Sequence, residues 1–408
     1  MTEANATRHT DIAVVGGGLA GSTAAAMLAR AGHDFVLIDP DVTYPWDFRC
    51  EKLEEYQVDV LRQTGLADVV LPVTTPIERL WVARLGRFSR PYTNHQFGFH
   101  YDQLVNRFRA QVPLDHFMKG KVASIAASGD RQTLVLSSGQ EVSARLIVLA
   151  TGPNHSLRKS LGIERNVTSP CHSVTLGFDV APVGRPKFDF ESLTYFPERS
   201  SEPISCLTLF PVRSDMRANL FVYRQARDPW FAKFREAPVA TCLAAMPGLS
   251  RFLGEFEITG DLQIRPADLY ETTGYRRPGI VLVGDAFASS CPAAGTGAGK
   301  VFVDVVRLCN VHIPNWLATA GMSAEKISAF YDDPEKRASD EHSKEKAFRL
   351  RAATIDRNLR WHVRRVLKST TTATLAGFDR ALSTLRGAKR QPHTGTTPQP
   401  TPPPSLSR

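Results

Sequence analysis

The residues whose spacing carries the most chemistry are three glycines, Gly16, Gly18 and Gly21, set as G-x-G-x-x-G. Backbone without Cβ atoms turns tightly, lets an anionic group approach its N–H donors, and allows a following helix to pack close. About 20 residues on stands Asp39, whose carboxylate suits a ribose with a free 2′-hydroxyl, as in FAD or NAD, better than a 2′-phosphate. A second stretch of the same character lies far along the chain, GDAFASSCPAAGTGAG. There Gly284 and Asp285 end a strand, and Pro292, Gly295, Gly297 and Gly299 make a loop of little bulk. Asp285 suits a sugar hydroxyl of an extended cofactor. A helix expected from about Lys300 offers free N–H groups and a partial positive charge to an anion. Gly152 ends RLIVLATG, a third strand meeting a phosphate-sized turn. Arg49 is either a solvated charge or a fork-shaped donor to phosphate, and spacing leaves both open.

A lone glycine triplet also marks ordinary turns, so the elements around it decide its meaning. Residues 12–15 form a short apolar run typical of a buried parallel strand. An alanine-dense helix is expected over 20–31 with Gly32 as its stop, then a second strand over 35–38 ending in Asp39. Strand, turn, helix, strand and acid thus occur in the order a dinucleotide site requires. Leu53, Val60 and Leu61 predict a helix stopped by Gly65, and 77–99 alternates as a hairpin around Gly86. A helix over 101–112 precedes strands at 121–127, 132–137 and 145–150, with Ser138-Gly139 at a turn. From 171 to 267 short β-rich runs dominate, interrupted by one helix expected over 229–246. Residues 280–283 then return to the buried-strand texture.

The totals restrict what else the chain does. Its 408 residues, 42% hydrophobic and 22% charged, suit a globular protein with a substantial core. No run approaches the roughly 20 apolar residues of a membrane span, and the first ten residues lack the core of a secretory signal. Six cysteines without C-x-x-C pairs suggest neither a zinc ribbon nor a disulfide framework, so a cytoplasmic protein is expected. No His and carboxylate set has metal-ligand spacing, and no metal is expected. The net charge of +9 is local, crowded into 344–368 and 380–390. With no zinc finger, helix-turn-helix or RNA-stacking signature, nucleic acid is not an expected partner.

Taken together, GGGLAG with Asp39, FRCEKL around Arg49, and GDAFASSCPAAGTGAG resemble the FAD-dependent oxidoreductases of the aromatic-hydroxylase (group A flavin monooxygenase) and geranylgeranyl reductase superfamily. The resemblance covers roughly residues 10–310. It implies that Asp285 meets the FAD ribityl chain, that 292–299 face the flavin, and that Arg49 and Cys50 lie near it. It also implies a flavin C4a-hydroperoxide formed with O2, and electrons from NAD(P)H as co-substrate. Pro153 and Asn154 stand where the superfamily has Asp-Gly, which leaves a separate flavin reductase as the other route for electrons. Gly299 replaces a loop asparagine, and the halogenase W-x-W-x-I-P sequence is absent.

The fold expected is α/β: a Rossmann-type FAD-binding domain (10–70, 100–170 and 268–315) with an inserted, mostly antiparallel substrate domain (71–99 and 171–267). A C-terminal helical segment (316–387) and a Pro/Thr-rich disordered tail (388–408) follow. Substrate contacts are expected from Tyr195, Arg213, Tyr223 and Arg224. His172 is a candidate base or a core histidine, and Cys291 a flavin neighbour or a small buried thiol. Phe348, Ala352, Ile355, Leu359, Val363 and Val366 trace one helical face, with Arg357, Arg360, Arg364 and Lys368 largely elsewhere and Trp361 on the polar side. That helix either packs on the body or lies on a membrane surface, making the protein peripheral. The leading expectation is a monooxygenase that hydroxylates or epoxidises a small organic substrate, with a hydrophobic one left open. A reductase of isoprenoid-like double bonds and a non-catalytic flavin redox sensor are the alternatives.

Overall fold

The structure, a computed structural model, describes residues 7–84, 86–88, 91–199 and 202–356. Two sheets organise it. In the first, Phe117–Lys119, Phe35–Asp39, Arg8–Val15 and Glu141–Leu149 lie side by side in parallel, and Ile280–Leu282 pairs with the far end of the last. Both faces are covered, which is why Ile12, Ala13 and Val14 are wholly buried and the strands read as unbroken apolar runs. Strands Gln132–Leu136 and Val122–Ala126 extend this sheet as an antiparallel edge.

Helix Leu19–Arg30 crosses from the first strand to the second, buried from Leu19 to Leu28. Its alanines explain that depth, since small side chains let it sit close to the sheet with helices on either side. Gly21 goes further: a Cβ there would stand 1.8 Å from the Gly16 carbonyl oxygen. Strand end and helix start therefore touch backbone to backbone, and this aims the helix N-terminus along the sheet's carboxyl edge.

The second sheet runs Phe256–Thr273, Glu164–Pro182, Asp215–Val222, Ile204–Val212, Ser192–Tyr195, Thr75–Arg84, Tyr92–Gly98 and Lys52–Glu54, with Arg87–Phe88 on the side. It is antiparallel apart from the pairing of Ser192–Tyr195 with Thr75–Arg84. One face holds a second core, into which Trp81, Ala83, Leu193, Tyr195, Leu207, Leu209, Ala218 and Leu220 point. Where Ser192–Tyr195 ends, the sheet curls shut, and a Cβ on Gly98 would lie 2.1 Å from the Pro211 carbonyl oxygen.

Several expected boundaries move. Leu53 sits in a strand, and the helix begins after it at Glu55, because Glu54 caps that helix in a capping box with Gln57. The single helix expected over 229–246 is two, Trp230–Glu236 and Pro238–Ala245; Pro238 donates no N–H and holds Ala237 out of the helical region. The helix expected from Lys300 starts at Gly297. A long helix, Pro334–Ile355, carries the first residues of the stripe that begins at Phe348 and stops at Asp356. Arg357, Arg360, Trp361, Arg364, Lys368 and the tail 388–408 lie outside the described residues. No helix among the described residues is long and apolar enough to cross a membrane.

The Gly16–Gly21 contact makes a signed prediction. Helix propensity alone would have Gly21→Ala stabilise the protein by about 1 kcal/mol. The backbone contact reverses this, and urea unfolding should show a loss of about 1–3 kcal/mol. A gain would refute the contact.

Candidate active site

At the nucleotide end, Gly16 takes φ +98°, and a Cβ there would meet the Ala150 carbonyl oxygen at 2.7 Å. Gly18 heads the helix with no side-chain cap, and open space surrounds it out to the Tyr44 ring at 4.0 Å. The first N–H groups of the helix are thus presented to whatever lies beyond the turn. Asp39 accepts from the Gly17 N–H at 2.6 Å and faces Arg109 Nη2 at 3.1 Å, while Arg109 Nε donates to the Gly17 carbonyl at 2.8 Å. Acid and arginine hold the glycine turn from both sides. Arg109 had no signal in the sequence beyond its place in a helix.

At the other end, the Gly284 N–H donates to Asp304 at 2.8 Å, which leaves the next side chain, Asp285, free to project with 38% of its surface exposed. Arg49 Nη1 comes within 4.0 Å of that carboxylate, and Arg49 is steadied by Asp47, itself paired to Arg265 at 2.6 Å. Pro292 opens a single turn and Gly295 follows at φ +64° with nothing against it. The Thr296 hydroxyl bonds Ser343 rather than capping helix Gly297–Arg307, so these N–H groups also stay free. Tyr56 and Gln57 donate to the Gly295 carbonyl at 2.9 and 3.1 Å, and both crowd Gly299, where a Cβ would stand 3.3 Å from each. Gly152, at φ +56°, likewise has open space around it.

Behind this turn lies a buried charge cluster. Lys336, wholly buried, donates to Asp304 at 3.0 Å and Asp340 at 2.9 Å, and Lys300 pairs with Asp340 at 3.1 Å. The opposing charges offset one another's desolvation. Asp304 also receives the Gly284 N–H, so the long helix is coupled to the Gly284-Asp285 turn.

The second sheet borders these turns. Residues alternating with those of the second core point the other way: Val82 and Arg84, Thr194, Cys206 and Thr208, Phe221 and Tyr223, Ser173 and Thr175. Val82, Thr194, Thr208 and Phe221 are half-buried, a floor of apolar and hydroxyl side chains. Two cofactor-side segments border it. Cys291, just before Pro292, lies 3.6 Å from the Ser173 hydroxyl. Glu51, two residues after Arg49, makes a buried ion pair with Arg217 at 2.8 Å. Buried polar atoms of Gln96, Arg165, Thr175 and Arg217 in this sheet, and of Tyr223 just past the end of one of its strands, have no hydrogen-bond partner, an arrangement that costs free energy unless something completes it.

Of the four substrate candidates, Tyr223 alone lies on this face. Tyr195 points into the second core, its hydroxyl on Glu198. Arg213 is an exposed hairpin residue at φ +57°. Arg224 is occupied by Glu202 and Asp228, both at 3.2 Å, and lies over Trp230. His172 is a core histidine: its ring nitrogens meet Ser169 Oγ at 3.0 Å and the Ala347 carbonyl at 3.4 Å. Burial, with Arg351 adding its charge, lowers its pKa from 6.5 to about 4. Burial raises the Cys50 thiol to about 11 and pushes the Cys291 thiol up as well, so neither is a ready thiolate.

Two uncapped helix starts, an arginine, and an acid free for a sugar hydroxyl fit an extended, diphosphate-bearing cofactor. The sequence profile of the FAD binding domain family matches residues 9–311. The chain belongs to this family. It is an FAD-dependent oxidoreductase. Among its relatives are squalene epoxidase erg1 of Schizosaccharomyces pombe, 21% identical over 338 residues (76% of this chain, 70% of the relative), and ubiquinone hydroxylase UbiL of Rhodospirillum rubrum, 28% identical over 178 residues. The second match covers 39% of this chain and 41% of the relative. Among solved structures, p-nitrophenol 4-monooxygenase PnpA from Pseudomonas putida superposes with a TM-score of 0.70 at 14% identity, over 88% of this chain and 92% of that one. The flavoprotein's fold is that of PnpA.

Two outcomes follow. Asp285→Ala should weaken FAD binding about tenfold or more, as loss of a hydrogen bond to a charged group does, with little change in melting temperature; flavin fluorescence titration and thermal unfolding read the two. His172 affects stability below neutrality. Between pH 6.5 and about 4 the unfolded chain takes up a proton that the folded one refuses, so stability falls as pH drops through that window and is unaffected above it. The loss should approach about 2–3 kcal/mol in urea unfolding and be absent in His172→Gln.

Proposed function

We propose that this flavoprotein places one atom of O2 into a small organic substrate, by hydroxylation or epoxidation, with electrons drawn from NAD(P)H. The observation that carries this is the junction of two surfaces: a cofactor-binding edge with free helix N–H groups and, bordering it where Ser173 meets Cys291 and Arg217 meets Glu51, a sheet face with unsatisfied polar atoms. Bound FAD supplies the electron transfer and the reaction with O2. The chain's own residues have positioning work. Gly18 and its helix, with Arg49, would neutralise the diphosphate, Asp39 would hold the ribose, and Asp285 would accept from the ribityl hydroxyls. Gly152, Pro292, Gly295 and Gly297 would let backbone approach the ring system closely, while Gly299 lets the helix pack on Tyr56 and Gln57.

Val82, Thr194, Thr208 and Phe221 would carry the body of the substrate and keep water from the reacting atoms. The relatives named for squalene and ubiquinone support a substrate with an apolar body. No acid–base pair is required on this floor, because the oxygen chemistry belongs to the cofactor. Contact with a membrane surface and delivery of electrons by a separate reductase are compatible with the same site.

The test is reduction of the FAD-loaded protein by NADH or NADPH without air, followed by admission of O2 in the presence of candidate substrates. Bleaching of the flavin, then uptake of one O2 for each oxygenated product, is the expected result. Product formed at full yield without O2 would overturn it in favour of a reductase.

A further inference from the structure

Resting on that reading, a further property concerns what holds Arg49 in place. Residues 40–51 join strand Phe35–Asp39 to strand Lys52–Glu54 and have no regular structure of their own. Across 40–50 the chain is exposed or half-buried except at Phe48, which is 2% exposed. An arginine on a free loop of this kind binds an anion only by freezing its own rotamers and the backbone beneath it. A loop fixed beforehand is spared that cost.

The Phe48 ring enters a hole in the second sheet. A Cβ on Gly177 would stand 2.3 and 2.4 Å from ring atoms Cε2 and Cζ, closer than carbon atoms approach, and 2.8 Å from Arg217 Nη2. Gly177 is not in the left-handed region, so the ring, rather than the backbone, is what excludes a side chain there. Leu176 and Phe178 on either side point into the second core, so Gly177 lies on the opposite face, with Ser173 and Thr175. Arg217, on the adjacent strand Asp215–Val222, lies over the same ring, its guanidinium 5.3 Å from the centre.

The residues around Phe48 are tied to that sheet as well. Asp47 pairs with Arg265 at 2.6 Å, and Glu51 with Arg217 at 2.8 Å. Between these anchors stands Arg49, its Nε on Asp47 at 2.5 Å and its Nη1 4.0 Å from Asp285. The Asp47–Arg265 pair is partly exposed and yields in geometry, whereas a ring filling a hole one glycine wide does not.

We infer that Phe48 and Gly177 are positioning residues for FAD: the ring seated at Gly177 locks the loop, so that Arg49 meets the diphosphate in a fixed orientation. Through this plug the second sheet contributes to cofactor affinity without Gly177 or Phe48 touching the cofactor.

Flavin fluorescence titration of the full chain tests this in the wild type, Gly177→Ala, Arg49→Met and the variant carrying both. Gly177→Ala should weaken FAD about tenfold and Arg49→Met about tenfold or more, the scale of one charge-assisted hydrogen bond. The two together should be no weaker than Arg49→Met to within about twofold, because both act on one contact. Leucine lacks Cε2 and Cζ, so Phe48→Leu added to Gly177→Ala should bring affinity back to that of Phe48→Leu alone, about threefold below the wild type. Thermal unfolding of the FAD-free variants reads damage to the fold separately. Wild-type affinity in Gly177→Ala, an equal loss whether or not Arg49 is present, or no recovery with Phe48→Leu would each overturn the assignment. If Gly177→Ala does not fold, Phe48→Leu decides in the same way, since its loss should vanish in the Arg49→Met background. Wild-type affinity in Arg49→Met would instead fault the reading that puts Arg49 on the cofactor.

Discussion

Everything in this structure depends on a contact between two stretches of bare backbone. Where Gly16 leaves the first strand and Gly21 enters the first helix, no side chain fits between them. The helix is thereby fixed in angle and depth, with its uncapped N-terminus over the carboxyl edge of the sheet. Asp39 and Arg109 brace the turn from the neighbouring strand and helix. An anion-binding helix end is useful only if its position is set before the anion arrives, and this contact sets it.

The second glycine-lined turn solves the same problem differently. It has no close glycine pair; instead Asp304 holds the Gly284 N–H, and the helix Gly297–Arg307 is held against Tyr56 and Gln57. Arg49 reaches across toward Asp285, so segments some 240 positions apart in the chain address one cofactor. The antiparallel sheet then needs to be rigid on one face and accommodating on the other. Its second core supplies the rigidity, with Leu207, Leu209, Ala218 and Leu220 all at or near zero exposure.

What the sequence revealed, and what it hid, follows from range. The glycine turn, Asp39 and the Gly284-Asp285 stretch are local patterns, and each lies where its spacing put it. Helix starts were less legible: capping by Glu54 and the break at Pro238 move boundaries that apolar periodicity alone cannot resolve. Tyr195 and Tyr223 looked alike, each in a β-rich run. Alternation says that neighbours face opposite ways, but not which face meets the second core. Arg109 and the Glu51–Arg217 pair left no trace because their partners are remote, 166 positions apart in the case of Glu51 and Arg217. Arg213 and Arg224 show the converse, since a charge beside a strand is often spent on a neighbouring carboxylate.

The buried lysines behind the Gly284-Asp285 turn carry one more implication. Asp304 serves two masters, the backbone of that turn and Lys336 on the long helix. Detaching the helix, by a protease cut or a truncation before Pro334, would take Lys336 from Asp304, leave Lys300 at 3.8 Å as its remaining counter-charge, and loosen its grip on Gly284. Coenzyme retention would decay along with it, although no residue of the helix need touch the coenzyme. The yellow colour of a preparation is in that sense a gauge of whether its C-terminal helix is still docked.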